Sequence, residues 1–455
     1  MSAPELLSGW GNTAPTVATV HRPDDLERIV GHVTAPGPRG VIARGLGRSY
    51  GDAAQNAGGD VLACGNLDGV LAIDVDKGTV TVESGVSLDT LLRVLLPLGW
   101  FPMVIPGTSY VTVGGAIASD VHGKFRHGSF ADYVERMRVV TPADGARVLE
   151  PDADATPFWA TSGGMGLTGV ITEATLKLQP VETSRIVCDT ERTVDMDDCM
   201  ARMLDGDHAY QYSVAWIDCL ATGRRLGRAV LTRGNHAAFD DLPATDRSTA
   251  RVYAPRTLLG VPPVVPNGLI NSLSARAFNE VWFRKAPRAA HRRVEGIKPF
   301  FFPLDGVRDW NRIYGPRGFV QYQFVVPFGA EHVVRTALER LSAARFPMFL
   351  AVLKRFEHDS RSMIGFPISG WTLAVDIPTS PALATVLDDL DEVVVEAGGR
   401  VYLTKDSRLR PELLAAMYPK LDEWRAARAV LDPDHRLRSD MDRRLDLSGA
   451  GRRPA

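Results

Sequence analysis

Apolar and polar positions alternate with a period of two along several short stretches of the chain, and this alternation predicts β-strands. Residues 70–84 contain two such stretches on either side of a turn at 76–78, which predicts a hairpin. The same pattern predicts a second hairpin over 136–150. It also predicts strands over 170–182, 210–220, 319–327, 349–356 and 370–378.

Other stretches carry apolar residues at helical spacing. Residues 16–32 are predicted to form a strand and a helix, and Ser87 is predicted to cap a helix over 88–99. Further helices are predicted near 330–344, near 381–397 and, as one continuous helix, over 411–432. Residues 251–303 show only weak periodicity and are rich in proline, aromatic and basic residues.

Three glycine-rich stretches stand out in the first 170 residues, over 43–53, 106–124 and 161–169. In the first, Gly45, Gly47 and Gly51 allow a backbone turn whose successive N–H groups form a nest for an anion, most plausibly a pyrophosphate. Glycines in a single loop usually only make a turn. Three such loops with interleaved hydroxyl side chains favour a cofactor cradle.

The glycine spacings do not indicate a Rossmann fold. The first loop is followed by more loop and then a strand, without the helix that a Rossmann fingerprint opens. The third contains the literal pattern Gly-x-Gly-x-x-Gly over 164–169, but a strand pattern follows there as well. A phosphate cradle between two strands suggests a different dinucleotide fold.

Composition narrows the class of protein. The chain has 455 residues, 45% hydrophobic and 23% charged, which is typical of a soluble enzyme with two or three domains. A net charge of −2 gives no electrostatic case for nucleic-acid binding. No signal peptide, membrane span or metal site is predicted, and the four cysteines are expected to be reduced thiols.

The motifs together resemble the vanillyl-alcohol oxidase (p-cresol methylhydroxylase-like, PCMH) FAD family. They are Arg-Gly-x-Gly-x-Ser-Tyr-Gly in the first loop, Pro-Gly-Thr with Thr-Val-Gly-Gly-Ala-Ile-Ala and His-Gly-Lys in the second, and Gly-Gly-x-Gly-Leu-Thr-Gly in the third. The resemblance implies an α+β fold with two domains. A PCMH-type FAD-binding domain over 1–183 is completed by 400–455, and an antiparallel-sheet substrate domain spans 184–399.

The resemblance also implies which residues contact FAD. Many relatives tether the flavin through a histidine at the position of Arg48, so the FAD here is expected to be non-covalent. The implied contacts are Ala43, Arg44, Gly45, Leu46, Gly47, Arg48, Ser49, Tyr50, Gly51, Asp52, Ala53, Gly107, Thr112, Val113, Gly114, Gly115, Ser119, Asp120, Val121, His122, Ile171 and Tyr402. For His122, a supporting role that orients backbone is as plausible as direct contact.

Three strand patterns place polar or small residues on one face. Gln321 and Gln323 share a strand face, as do Thr372 and Ala374, and Lys354 lies on a third strand. Such faces could cover a ligand or simply meet solvent. The resemblance favours a substrate site that also includes Tyr50, Lys124, Trp216 and Lys405. Most relatives have asparagine and cysteine at the positions of Thr372 and Ala374, which puts a role for those two side chains in doubt.

The resemblance implies oxidation of the 2′-hydroxyl of a polyprenylphosphoryl ribose, a step toward arabinan precursors of the cell wall. Lys405 and His122 are the candidate catalytic residues, and a separate short-chain keto-reductase would complete the epimerisation. Oxidation of another sugar, polyol or aldonolactone is the alternative, and a flavin-binding structural or interaction protein is a third possibility.

A basic segment over 276–298, followed by three phenylalanines, suits an anionic membrane surface or a lipid phosphate. A solvated flexible loop explains it equally well. Peripheral association with either side of the inner membrane is expected because the implied substrate is a membrane lipid.

Overall fold

The computed structural model describes residues 3–255, 259–262, 265–266 and 268–451, so residues 1–2 and 452–455 of the expected flavin domain lie outside the described residues. The chain begins with a four-stranded sheet in the order β1-β2-β4-β3. Its elements are β1 (Ala3–Leu7), β2 (Thr16–His21), helix α1 (Leu26–Thr34), β3 (Val41–Arg44) and β4 (Asp60–Ala63). Helix α1 begins after Asp25, whose carboxylate accepts a hydrogen bond from the backbone N–H of Arg28. The first glycine-rich loop connects the parallel pair β3 and β4.

The second sheet is antiparallel and has six strands in the order β5-β6-β10-β8-β9, with β7 paired to β10. Its strands are β5 (Val70–Asp74), β6 (Thr79–Glu83), β7 (Trp100–Pro102), β8 (Val134–Thr141), β9 (Gly145–Leu149) and β10 (Val170–Pro180). Helices α2 (Leu88–Leu95), α3 (Val113–Ala118) and α4 (Ala155–Thr161) connect them. Both predicted hairpins are confirmed, and the strand after Gly169 confirms that no Rossmann helix follows there.

The third sheet is antiparallel and has eight strands in the order β15-β11-β13-β12-β18-β19-β17-β20. The strands from here on are β11 (Arg185–Thr193), β12 (Tyr212–Ile217), β13 (Ala229–His236), β14 (Leu259–Gly260), β15 (His291–Gly296), β16 (Val307–Arg308), β17 (Phe319–Pro327), β18 (Ala351–Phe356), β19 (Gly370–Pro378) and β20 (Arg400–Val401). Strands β14 and β16 form a separate parallel pair. With these sheets and the flanking helices, the α+β fold is confirmed.

The remaining helices are α5 (Met196–Gly206), α6 (Ser272–Lys285), α7 (Ile297–Phe301), α8 (Glu331–Ala343), α9 (Leu383–Glu396), α10 (Pro411–Met417), α11 (Leu421–Leu431) and α12 (Asp440–Leu445). One face of the third sheet packs against α8 and α9, and its core includes Leu338, Leu373 and Leu390. The opposite face is therefore left to meet the first half of the chain.

Two sequence expectations differ from the structure. The continuous helix predicted over 411–432 is two helices, because Pro419 disfavours a helical conformation at Tyr418, whose φ of −125° and ψ of 83° leave the helix. The weakly periodic stretch 251–303 contains the 14-residue helix α6, so the loop interpretation of the basic segment is wrong for that part.

The C-terminal segment returns to the first half of the chain. Helix α11 packs against α4, where the Trp424 indole N–H donates to the carbonyl of Ala160 at 2.9 Å. Leu437 forms a parallel bridge with Val41 of β3. These contacts agree with a discontinuous flavin domain, whose boundaries stay a prediction. Within the described residues, no helix is both long enough and apolar enough to cross a bilayer.

Candidate active site

The first glycine-rich loop leaves β3 and turns sharply before β4. Gly47 adopts a left-handed φ of +65°, a conformation that glycine takes without steric cost. Among the described residues, no group accepts a hydrogen bond from the backbone N–H of Gly47, Arg48 or Ser49. Three consecutive free donors after a turn form an anion-binding nest.

The second loop packs directly on the first. A Cβ atom at Gly45 would lie 2.3 Å from the Thr112 hydroxyl oxygen, so glycine is required there for the two loops to meet. Thr112 caps the N-terminus of α3, and its hydroxyl accepts a hydrogen bond from the Gly115 N–H at 3.2 Å. Gly107 differs, because a Cβ atom there would meet no protein atom within 4 Å.

Both loops fit a flavin dinucleotide. The nest at Gly47 offers donors to a pyrophosphate, and the open space beside Gly107 leaves room for a planar group. The buried Nε of Arg48 and the hydroxyl of Ser162 in the third loop have no hydrogen-bond partner among the described residues. Buried polar atoms are normally satisfied, so these two atoms are available to hydrogen-bond a ligand.

The polar face of the third sheet covers the loops from the other side. Antiparallel pairing sets Gln321 opposite Asp376, Gln323 opposite Ala374, and Thr372 between Val325 and Lys354. Residues that are directly paired share a face. The face therefore collects Trp216, Gln321, Gln323, Lys354, Thr372, Ala374 and Asp376 from four neighbouring strands.

This face is hydrogen-bonded to the loops. The Gln321 side-chain amide donates to the Tyr50 hydroxyl at 3.3 Å and to the Asp376 carboxylate at 2.5 Å. The amide nitrogen of Gln323 lies 3.1 Å from Nε2 of His122 and 3.3 Å from the Thr372 hydroxyl. Gln321 therefore contacts Tyr50 of the first loop, and Gln323 contacts His122 of the second loop.

His122 is buried and neutral. Burial, followed by the charges of Lys354 and Lys405, holds the pKa of its imidazole well below the ordinary value. Its ring lies 4.8, 5.4 and 5.2 Å from those of Phe356, Phe366 and Tyr402. The Lys354 ammonium nitrogen is 3.3 Å from Nδ1 of His122 and from the Gly123 carbonyl oxygen.

The hydrogen-bond pattern around His122 sets a constraint on its neighbours. A neutral imidazole has one donor and one acceptor nitrogen, whereas Lys354 and the Gln323 amide both approach it with nitrogen. Either Gln323 presents its oxygen to Nε2, or Lys354 is unprotonated. Burial and the charges of Lys405 and Lys124 lower the pKa of Lys354 to about 7, so both states are accessible near neutral pH.

Lys405 approaches the site from the turn after β20. The Tyr50 N–H donates to the Thr404 carbonyl at 2.9 Å, which fixes this turn against the first loop. The Lys405 ammonium lies 3.8 Å from the centre of the Tyr50 ring. Burial lowers the pKa of Lys405, and the nearby negative charge of Asp376 partly opposes that shift.

Asp376 is the site residue that the sequence interpretation missed. Its side chain is fully buried, and burial raises the pKa of its carboxyl group against the effects of Gln321 and Lys405. Besides Gln321, the Tyr314 hydroxyl contacts this carboxyl group, and both contacts lower its pKa. The signal was present in the sequence, because Asp376 follows Ala374 by two residues on the same strand.

Three other predicted residues, Lys124, Trp216 and Asp120, form hydrogen bonds with partners outside this cluster. Lys124 donates to the Phe300 carbonyl and lies 4.4 Å from the Phe300 ring centre, and burial lowers its pKa to about 8. The Trp216 indole N–H donates to the carbonyl of Phe349 at 2.9 Å. The carboxylate of Asp120 accepts hydrogen bonds from the Ser360 and Ser362 hydroxyls and from the Ala131 N–H, so its partners lie within the protein.

Comparison with known proteins supports an FAD-binding domain in the first part of the chain. A family model described as an FAD binding domain matches residues 14–149. The chain is 43% identical over 448 residues to decaprenylphosphoryl-β-D-ribose oxidase of Mycolicibacterium smegmatis, with 97% of each chain covered. It is 41% identical over 374 residues to an uncharacterised protein of Streptomyces coelicolor, covering 80% of this chain and 100% of that one. An alditol oxidase of a Streptomyces species matches at 30% identity over 38% of this chain and 42% of its own.

The glycine loops, the family match and the polar sheet face define an FAD-dependent oxidoreductase. Within this class, the 43% sequence identity over nearly the whole length identifies the family of the chain. The chain belongs to the family of decaprenylphosphoryl-β-D-ribose oxidase.

Proposed function

We propose that this protein oxidises the 2′-hydroxyl of decaprenylphosphoryl-β-D-ribose to the 2′-keto sugar lipid. The relative that matches 97% of this chain is an oxidase of that compound. The observation that carries the proposal is the direct hydrogen bonding between the sheet face and the FAD loops, through Gln321 to Tyr50 and Gln323 to His122. A sugar held on that face would lie against the cofactor.

The chemistry requires loss of one proton from the 2′ oxygen and one hydride from C2′. When bound, FAD supplies the hydride acceptor. Lys405 accepts the proton, because burial lowers its pKa enough to make a neutral amine available near neutral pH. Asp376 accepts a hydrogen bond from Gln321, which also donates to the Tyr50 hydroxyl, and so it helps to fix the Tyr50 ring on which Lys405 rests.

The substrate also carries an anionic phosphate. Lys354 and Lys124 are two cations at the edge of the same cluster. The charge of Lys124 contributes to lowering the pKa of Lys354. We infer that Lys354 in its protonated form helps to hold the substrate anion, while Lys405 acts in its neutral form.

The FAD is held without a covalent bond in this proposal. The Arg48 guanidinium stacks 3.8 Å from the centre of the Trp10 ring. An arginine side chain does not form the covalent bond to flavin that a histidine forms. Acid precipitation should leave the yellow colour in the supernatant. A yellow pellet would show a covalent link through another residue.

The 2′-keto product requires a separate reductase to become the arabinose epimer, so a short-chain keto-reductase is the proposed partner. Because the substrate is a lipid, the protein is proposed to work as a peripheral protein at a membrane surface.

Trapping the product tests the proposal directly. After incubation with the sugar lipid, borodeuteride reduction should place deuterium at C2′ of both ribose and arabinose. Deuterium at another carbon would mean that a different hydroxyl is oxidised. Turnover of alditols or aldonolactones, with the sugar lipid unreactive, would instead indicate the alternative oxidase.

A further inference from the structure

Helix α6 presents an apolar face to solvent. Leu273, Phe278, Val281 and Trp282 are 80%, 45%, 68% and 42% exposed. Leu273 and Val281 lie two turns apart on one row, and Phe278 and Trp282 form the adjacent row with their rings stacked 6.0 Å apart. Several large apolar residues exposed on one helix are typical of an interaction site.

The orientation of α6 is fixed by polar contacts on its inner side. Asn279 is buried, and its amide donates to the Asp218 carboxylate at 2.7 Å and to the Met348 carbonyl at 3.1 Å. Arg228 joins Asp218 to Glu280 of the same helix at 2.9 and 2.6 Å. The apolar rows cannot turn inward without breaking this network.

Helix α6 and the residues that follow it carry many basic side chains, of which Arg284 is paired with Glu280 and Arg293 with Glu295. Between residues 272 and 293 there is a single acidic residue, Glu280, and it is already paired with Arg228 and Arg284. The basic residues of the same stretch are Arg276, Arg284, Lys285, Arg288, Arg292 and Arg293. In a chain of net charge −2, this patch is strongly positive and complements an anionic surface.

An unbroken run of aromatic rings leads from this face to the reactive cluster. Phe278 lies 5.5 Å from Phe349, which lies 5.8 Å from Tyr314. Tyr314 stacks on Phe319 at 4.1 Å, and Phe319 lies 5.4 Å from the Tyr50 ring. Lys405 rests on the other end of this run.

We propose that the α6 face docks on an anionic lipid bilayer. This docking does not rest on the proposed function. Pairing of two copies through this face would bring two positive patches together, which opposes it. An anionic bilayer offers both an apolar interior and the opposite charge.

Sedimentation with vesicles tests the docking. Purified holoenzyme should bind vesicles of phosphatidylcholine with phosphatidylglycerol far better than vesicles of phosphatidylcholine alone. Val281→Asp should lower the partition coefficient at least about tenfold. Val430→Asp is the matched control, since Val430 also lies on a helix and is 71% exposed; it should bind as the parent does. Equal binding by parent and Val281→Asp would overturn the proposal.

A second variant probes the charge. Replacing Arg288, Arg292 and Arg293 by Ser should weaken binding to the anionic vesicles, leave flavin content unchanged and reduce the salt dependence of binding. Unchanged salt dependence would contradict an electrostatic contribution. If Val281→Asp converts a dimer to a monomer in light scattering while vesicle binding persists, the face joins two copies and the proposal is wrong.

Activity separates docking from the proposed function. With the sugar lipid in vesicles, Val281→Asp should raise KM, whereas a water-soluble short-prenyl analogue should be oxidised as by the parent. If the parent binds vesicles and oxidises neither substrate, the proposed function fails and docking stands.

Discussion

The loops proposed to bind FAD and the face of the third sheet proposed to bind substrate are built by opposite means. The loops use backbone: Gly45 lets two loops touch, and the left-handed Gly47 begins a run of three N–H groups without a partner among the described residues. The sheet face uses side chains, because strand register brings Gln321, Gln323, Lys354 and Asp376 together. Substitutions in the first region should therefore change flavin affinity, and those in the second should change chemistry at constant flavin content.

The largest effect is expected for Lys405→Met. Loss of the proton acceptor should slow anaerobic flavin reduction at least about 100-fold, or about 2.7 kcal/mol in the barrier, while bound FAD stays at the parent level. Lys420→Met, at an exposed lysine, is the control and should behave as the parent. Near-normal reduction by Lys405→Met would move the proton acceptor to Lys354 or His122.

Gly107→Ala tests whether the open space beside the loops belongs to FAD. A methyl group there meets no protein atom, so the thermal stability of the apoprotein should be unchanged. FAD affinity should fall by about tenfold, because the methyl group would occupy the cofactor's space. Gly65→Ala, which also meets nothing within 4 Å, should leave both quantities unchanged. If Gly107→Ala binds FAD like Gly65→Ala, the cofactor lies elsewhere.

The pH dependence of KM should report on Lys354. Its pKa of about 7 leaves the amine protonated below that pH and neutral above it. If the ammonium holds the substrate anion, KM should be flat below about pH 7 and rise above it, by at most about tenfold per pH unit. Lys354→Gln should have a high KM with no such rise. A parallel rise in both proteins would assign the titration to another group.

Ala374→Cys should have the smallest effect. Ala374 lies between Gln323 and Val352 on the polar face and carries no group that can move a proton. One added sulfur is a small overpacking, so turnover should stay within about tenfold of the parent. The new thiol should react with an alkylating agent, and substrate should protect it. A thiol that reacts only after unfolding would place residue 374 in the protein core.

The contrast between the two regions also explains what the sequence could predict. The hairpins, the rejection of a Rossmann helix and the glycine loops were all predicted from contiguous residues. Asp376 was missed because its significance depends on its partners across the sheet, Gln321 on β17 and Lys405 on the turn after β20. The pairing register between distant strands cannot be inferred from the sequence of any single strand.

Helix α6 was missed for a different physical reason. A surface helix is usually recognised by an apolar stripe that faces the core. In α6 the buried positions are Ala275 and Asn279, and the large apolar residues face outward, so the usual pattern is inverted. Large apolar residues on the exposed face are unexpected in a helix that packs on a core, but they are expected in a helix that docks on a membrane.

Anaerobic titration of the holoenzyme with decaprenylphosphoryl-β-D-ribose tests the central claim most directly. The account predicts that the flavin absorbance bleaches in proportion to added sugar lipid and is unchanged by an alditol or an aldonolactone at the same concentration. Bleaching by the alditol or the lactone, with no response to the sugar lipid, would contradict it.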